Sequence, residues 1–160
     1  MPTHLLPWFE WAQSSWLGHA VHTSLWLFPV LESTHLLALS LLGGVLLVVD
    51  LRMLGIVLRD QPIATLARGV QPWLVRSLFL MAGTGVLLLI SEAVKCYHIP
   101  SFWVKVTALP FALAFTFLVR NPLALNDATV TGWRSRAVAA ASIGLWFTVA
   151  MAGRWIGFSS

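Results

Sequence analysis

The sequence lacks most of what a soluble enzyme uses. It has one cysteine, Cys96, which excludes an internal disulfide framework and a multi-cysteine metal site. Charged residues are only 10% of the chain, against about a quarter in soluble domains. No G-x-S-x-G, P-loop, dinucleotide fingerprint or Cys-x-x-Cys occurs, which disfavours hydrolase and nucleotide-driven functions. The ten Lys and Arg give a net charge of +4 but form no run or stripe, so no nucleic-acid partner is expected. The opening MPTHLLPWFEW has no basic region ahead of an apolar core, and the start is expected to be retained. There is no internal repeat and no low-complexity segment.

What is abundant is apolar: 58% of the 160 residues are hydrophobic, and the mean hydropathy is +0.82. Four stretches, about 28–50, 73–92, 102–119 and 137–156, are each long enough to cross a ~30 Å hydrocarbon layer as a helix. They use up the length, so residues 1–160 are read as one membrane domain. The expected class is all-α, an integral membrane four-helix bundle preceded by an arm over residues 1–25. Leu5, Phe9, Ala12 and Trp16 recur at helical spacing in that arm, which predicts a helix lying in the interface.

Basic residues near span ends are held on the cytoplasmic side. The first connection carries Arg52, Arg59, Arg68 and Arg76, and the third carries Arg120, Arg134 and Arg136. This predicts both connections as cytoplasmic and both termini on the outer, periplasmic-type side. Trp26, Trp103 and Trp155 then fall at the outer boundary and Trp73 and Trp133 at the inner one, as amphipathic rings prefer. Gly43 with Gly44, Gly83 with Gly85, and Ala140 with Gly144 mark places where spans can approach closely.

In that frame the polar residues of the spans converge on the outer leaflet. Glu32 and His35 lie early in the first span, Glu92 and Lys95 end the second, Lys105 begins the third and Arg154 ends the fourth. Residues three apart share a helix face, so Glu32 with His35 and Glu92 with Lys95 can each point one way. If both faces turn inward they line a small outer cavity. Ionisable groups at that depth cost several kcal/mol unless paired or hydrated, and a functional role is their default interpretation. The bland alternative is a set of salt bridges that only locks the bundle. At the inner ends, Asp50 and Arg52 are expected to pair locally while the other arginines reach the headgroups.

His35 is the only histidine inside a span. Bis-histidine haem ligation in the membrane would need a second, so a haem here would have another axial ligand, an open position or a ligand from outside the spans, with His98 and Met151 as candidates. His19 and His22 form an H-x-x-H pair, two ligands short of a closed metal site, and are read as interfacial.

Over nearly its whole length the chain resembles an uncharacterised family of small bacterial four-helix membrane proteins, a domain of unknown function. The motifs carrying this are SLWLFPVLESTHLLALSLLGGVLLVVDLRMLG, TGVLLLISEAVKCYHIPSFWVK and SIGLWFTVAMAGRWIGF. Two shorter stretches are similar to the copper-resistance membrane domain and to the four-helix HemJ-type protoporphyrinogen oxidase: His35 in STHLLALSLLGG and Lys105 in FWVKVTALPFALAF. In the oxidase family that histidine and lysine are regarded as essential and haem b is bound. The resemblance implies His35 as an axial ligand and Lys105 as a propionate or substrate partner. The aromatic and histidine pattern that follows the lysine in the oxidases is absent here.

The first expectation is therefore a haem b membrane protein acting in electron transfer or oxidation of a lipophilic substrate. In it His35 binds iron, Lys95, Lys105 or Arg154 neutralises propionates, Glu32 or Glu92 handles protons, and a quinone or other redox partner completes the reaction. A second is a copper- or proton-handling transporter using Glu32, His35 and Glu92, for which four spans imply a homo-oligomer. A third is a structural subunit without chemistry.

Overall fold

The computed structural model describes residues 3–126 and 132–158. A short 3-10 turn, Thr3–Leu5, leads into α1 (Leu6–Ser14) and α2 (Trp16–Thr23). Then come α3 (Leu27–Leu54), α4 (Ile63–Ser91), α5 (Ala93–His98), α6 (Pro100–Phe115), a π turn at Thr116–Arg120, α7 (Asn121–Leu125) and α8 (Trp133–Phe158). Among the described residues there is no strand, and four helices are long and apolar enough to span a membrane: α3, α4, the continuous run Pro100–Leu125, and α8 to Gly157. The protein is an integral membrane helix bundle.

The bundle is two helix pairs, α3 on α4 and α6 on α8, joined where α3 meets α8. The seam of α3 is Ala38, Leu42, Val45, Leu46, Val49 and Met53, all buried. Its steps of three and four residues keep one stripe facing the neighbours while the rest of the helix meets lipid. At the end of α3, Gly55 adopts φ +77°, and its N–H bonds Arg52 O while that of Ile56 bonds Leu51 O. This is the Schellman closure, which a residue with a Cβ adopts only with strain.

The helices outrun the apolar stretches. α4 begins at Ile63, ten residues before the hydropathic run, because Ile63 and Ala67 are buried against Val49, Met53, Ala124 and Ala139, and Ala64 is buried beside them in sequence. An amphipathic first turn does not register as a span. Pro72, a breaker by type, sits inside α4 and is tolerated there. The third span continues to Leu125 through the π turn. Pro122 has no N–H to give, and the N–H of Asn121 reaches back five residues to Thr116 O.

The arm is two helices where one was expected. Ser15 breaks it at ψ 153°, caps α2 by accepting from the Gly18 N–H, and turns Trp16 outward, 83% exposed. Phe9 and Ala12 keep the inward face. Phe9 lies among the rings of Tyr97, Phe102 and Trp103. Gln13 Oε1 accepts from the Val94 N–H at 2.9 Å, supplying a partner for the first turn of α5. The arm thus closes over the end of the bundle that holds His35 and Lys105.

Candidate functional site

At the arm end the two helix pairs each contribute one polar side chain. His35 of α3 packs toward α4, where its Nδ1 lies 2.8 Å from Thr84 Oγ1. Thr84 is buried, and its hydroxyl also lies 2.6 Å from Leu80 O. The carbonyl has no proton to give, so the hydroxyl proton goes to Leu80 O and the oxygen accepts from His35 Nδ1–H. Only this assignment makes both contacts hydrogen bonds. The neutral ring is then the Nδ1–H tautomer, and its lone pair is on Nε2.

Lys105 of α6 is half-buried and lies along α8. Each of the two side chains has a glycine as its floor. A Cβ on Gly85 would come within 3.2 Å of His35 Cε1, and one on Gly153 within 3.3 Å of Lys105 Nζ. Any larger residue at either place would displace the ring or the ammonium. One helix pair thus carries an imidazole with a bare nitrogen, and the other a cation, toward the same end of the bundle.

Not all of the expected cluster joins them. Glu92 and Lys95 pair with each other at 3.5 Å beside the α4–α5 break, half-exposed, where such a pair contributes about 0–1 kcal/mol. Glu32 is exposed, because the α3 seam runs back from Ala38 to His35 and a residue three positions further on has rotated out of it. Arg154 is exposed on α8, next to the glycine under Lys105. His98 donates from Nδ1 to Val94 O, and Met151 lines a groove of about 560 Å³ between α6 and α8. His19 and His22 are exposed on α2. Among the described residues no group of three His, Cys, Asp or Glu side chains stands where it could hold a metal ion.

Cys96 is buried on α5, outside the spans. Burial pushes its thiol above the ordinary value of 9.0; the Glu92 carboxylate adds to the rise, and Lys105 and Lys95 oppose it. A raised value means less thiolate at any given pH. Maleimide labelling of Cys96 is expected to be slow at neutral pH and to climb only above pH 9.0. Lys105→Gln should slow it further. Fast labelling at neutral pH would contradict this placement.

The largest polar network was not anticipated. Arg120 is 1% exposed and Asp50 1%, and they pair through Nε and Oδ1 at 2.8 Å. Asp50 Oδ2 accepts from Ser142 Oγ of α8 at 2.7 Å. Arg120 also donates to Asn121 Oδ1 and to Leu46 O, and Asn121 Nδ2 reaches Gln71 Oε1 at 3.4 Å. The expected Asp50–Arg52 pair is corrected by this. Asp50 faces the core, while Arg52, two residues on, is turned to the loop, where it donates to Gln61 O and Arg59 O. Arg120 is likewise no headgroup arginine, because the π turn brings it and Asn121 inward together. Pro122 directly after an Arg-Asn pair was the one sequence signal of that turn.

The fold defines a four-span integral membrane protein, with His35 and Lys105 half-buried toward its arm end. The chain belongs to the Family of unknown function (DUF6644), which matches residues 8–159. No curated protein and no solved structure matches it.

Proposed function

We propose that the protein binds haem b through His35 and acts in electron transfer or in oxidation of a lipophilic substrate. The observation that carries this is the hydrogen bond from His35 Nδ1 to Thr84. A histidine that ligates a metal almost always gives its other ring N–H to a fixed acceptor, which sets the tautomer and the ring plane. Here that acceptor is in place, and the free lone pair is the ligating one. Haem would supply one-electron chemistry when bound.

The remaining residues suit the same role. Lys105 brings a cation to the apolar junction, where a propionate needs a charged partner. Lys95, beside Glu92, and Arg154 lie at the same end and would meet a propionate nearer the surface. Glu92, paired with Lys95, and Glu32, exposed on α3, would exchange protons with water rather than touch the imidazole. The likeness of His35 and Lys105 to the essential pair of the HemJ-type oxidases supports the reading. The basic residues of its connections favour this end outward, and the resemblance to small bacterial membrane proteins favours a bacterial inner membrane. A quinone, dissolved in the same bilayer, is the redox partner this placement favours, and a homo-oligomer is compatible with it.

Copper handling by Glu32, His35 and Glu92 has less support, since Glu32 lies off the seam and Glu92 is paired to Lys95. The deciding measurement is an absorption spectrum with metal analysis of detergent-purified protein expressed with ample haem. A Soret band with stoichiometric iron is expected. Colourless protein would defeat the proposal, and copper without porphyrin would favour the transporter.

A further inference from the structure

At the end of the bundle opposite His35, α4 and α7 border a groove of about 590 Å³ lined by Arg68, Gln71, Pro72, Val75, Arg76 and Leu125. We propose that this groove binds the headgroup of an anionic glycerophospholipid, with its phosphate held by Arg68, Gln71 and Arg76 and its acyl chains on Val75 and Leu125. The inference does not depend on haem.

Three observations support it. First, the groove has cations without counter-ions. Arg68 and Arg76 are exposed, and among the described residues the ion pairs are Glu92–Lys95 and Asp50–Arg120. Arg76 lies within the apolar run that begins at Trp73, and its guanidinium sits 5.5 Å from the Trp73 ring centroid. A lipid-facing arginine at that depth is costly unless it snorkels or draws a phosphate toward it. Second, Arg68, Pro72 and Arg76 are successive turns of one face, about 12 Å from first to last at 1.5 Å per residue. Two long side chains can close on a phosphodiester between them, and guanidinium matches its oxygens two at a time.

Third, the buried network fixes the polarity of Gln71. Arg120 has only donors, so Asn121 must present Oδ1 to it, which leaves Nδ2 facing Gln71. Gln71 must then present Oε1 to Asn121, and its NH2 is the end left for the groove it lines. The groove is therefore a set of donors, two charged and one neutral, over apolar walls. A zwitterionic headgroup carries its own cation into such a site, whereas an anionic one does not. Basic pockets between spans at the cytoplasmic side hold anionic headgroups for this reason.

The test is thermal unfolding of the protein in detergent, where bilayer orientation plays no part. Phosphatidylglycerol is expected to raise Tm by about 3–5 °C at roughly ten times Kd, and phosphatidylcholine and inorganic phosphate by far less. R68Q/R76Q should lose the shift. R134Q/R136Q, which removes two exposed arginines at the start of α8, should keep it. Native mass spectrometry should show phosphatidylglycerol bound to the wild type and to R134Q/R136Q but not to R68Q/R76Q. Equal shifts with phosphatidylcholine, a shift reproduced by inorganic phosphate, or lipid binding retained by R68Q/R76Q would each overturn the proposal.

Discussion

Arg120→Leu is expected to destabilise the protein by about 3–5 kcal/mol, the cost typical of removing one partner of a buried ion pair. Asp50 would be left with Ser142 alone, and Leu46 O and Asn121 Oδ1 would each lose a donor. Asp50→Leu should cost a similar amount, because it strands a guanidinium that is 1% exposed. The double variant should recover much of the loss. A buried pair gains little over apolar residues of the same volume, while a single buried charge has no compensation. Thermal or SDS-induced unfolding of the four proteins in detergent gives the coupling directly. Single variants within 0.5 kcal/mol of wild type would mean that the pair does not hold the bundle together.

The pair has a position as well as an energy. Asp50 is on α3, Ser142 on α8 and Arg120 in the π turn of the third span, and Gln71 of α4 is reached through Asn121. One network therefore touches all four spans. Helices in lipid gain little from burying apolar side chains against each other, and hydrogen bonds between them take over part of the specificity. The small buried Ala124, Ala139 and Ala67 let the helices approach closely enough for short side chains to meet.

How much of this the sequence disclosed follows from which physics leaves a local mark. Hydropathy over a span is additive along the chain, so four spans and the all-helical class were legible. His35 and Lys105 could be singled out because an ionisable group in an apolar run is conspicuous by itself. Thr84 could not, since a threonine in a span is ordinary until a partner from another helix meets it. Asp50 and Arg120 are 70 positions apart, and their pairing depends on a π turn that shifts the helical phase. Residue spacing on an ideal helix cannot show that. The same limit misplaced Glu32: i and i+3 share a face only loosely, and the seam of α3 is narrow enough to include His35 and leave Glu32 out. In the arm, Trp16 fitted the spacing, but Ser15 ended the helix before the spacing applied.

The proposal for His35 makes a graded prediction that a structural histidine would not satisfy. His35→Ala should abolish the Soret band and leave folding intact, because the ring is half-buried and alanine removes the only atoms packed on Gly85 from that side chain. Thr84→Val keeps the shape and removes the acceptor. Nδ1–H would then lie unbonded beside a methyl group, and the ring would be free to turn or to move its proton to Nε2, which blocks ligation. The loss of such an outer partner typically weakens metal binding 10–100-fold. Titration of haem into the apo protein should show that drop for Thr84→Val, near wild-type binding for Thr84→Ser, and none for His35→Ala. The hydroxyl has no steric part in the difference between valine and threonine. If valine binds as tightly as threonine, the hydrogen bond does not prepare Nε2, and the observation on which the haem assignment rests has another cause.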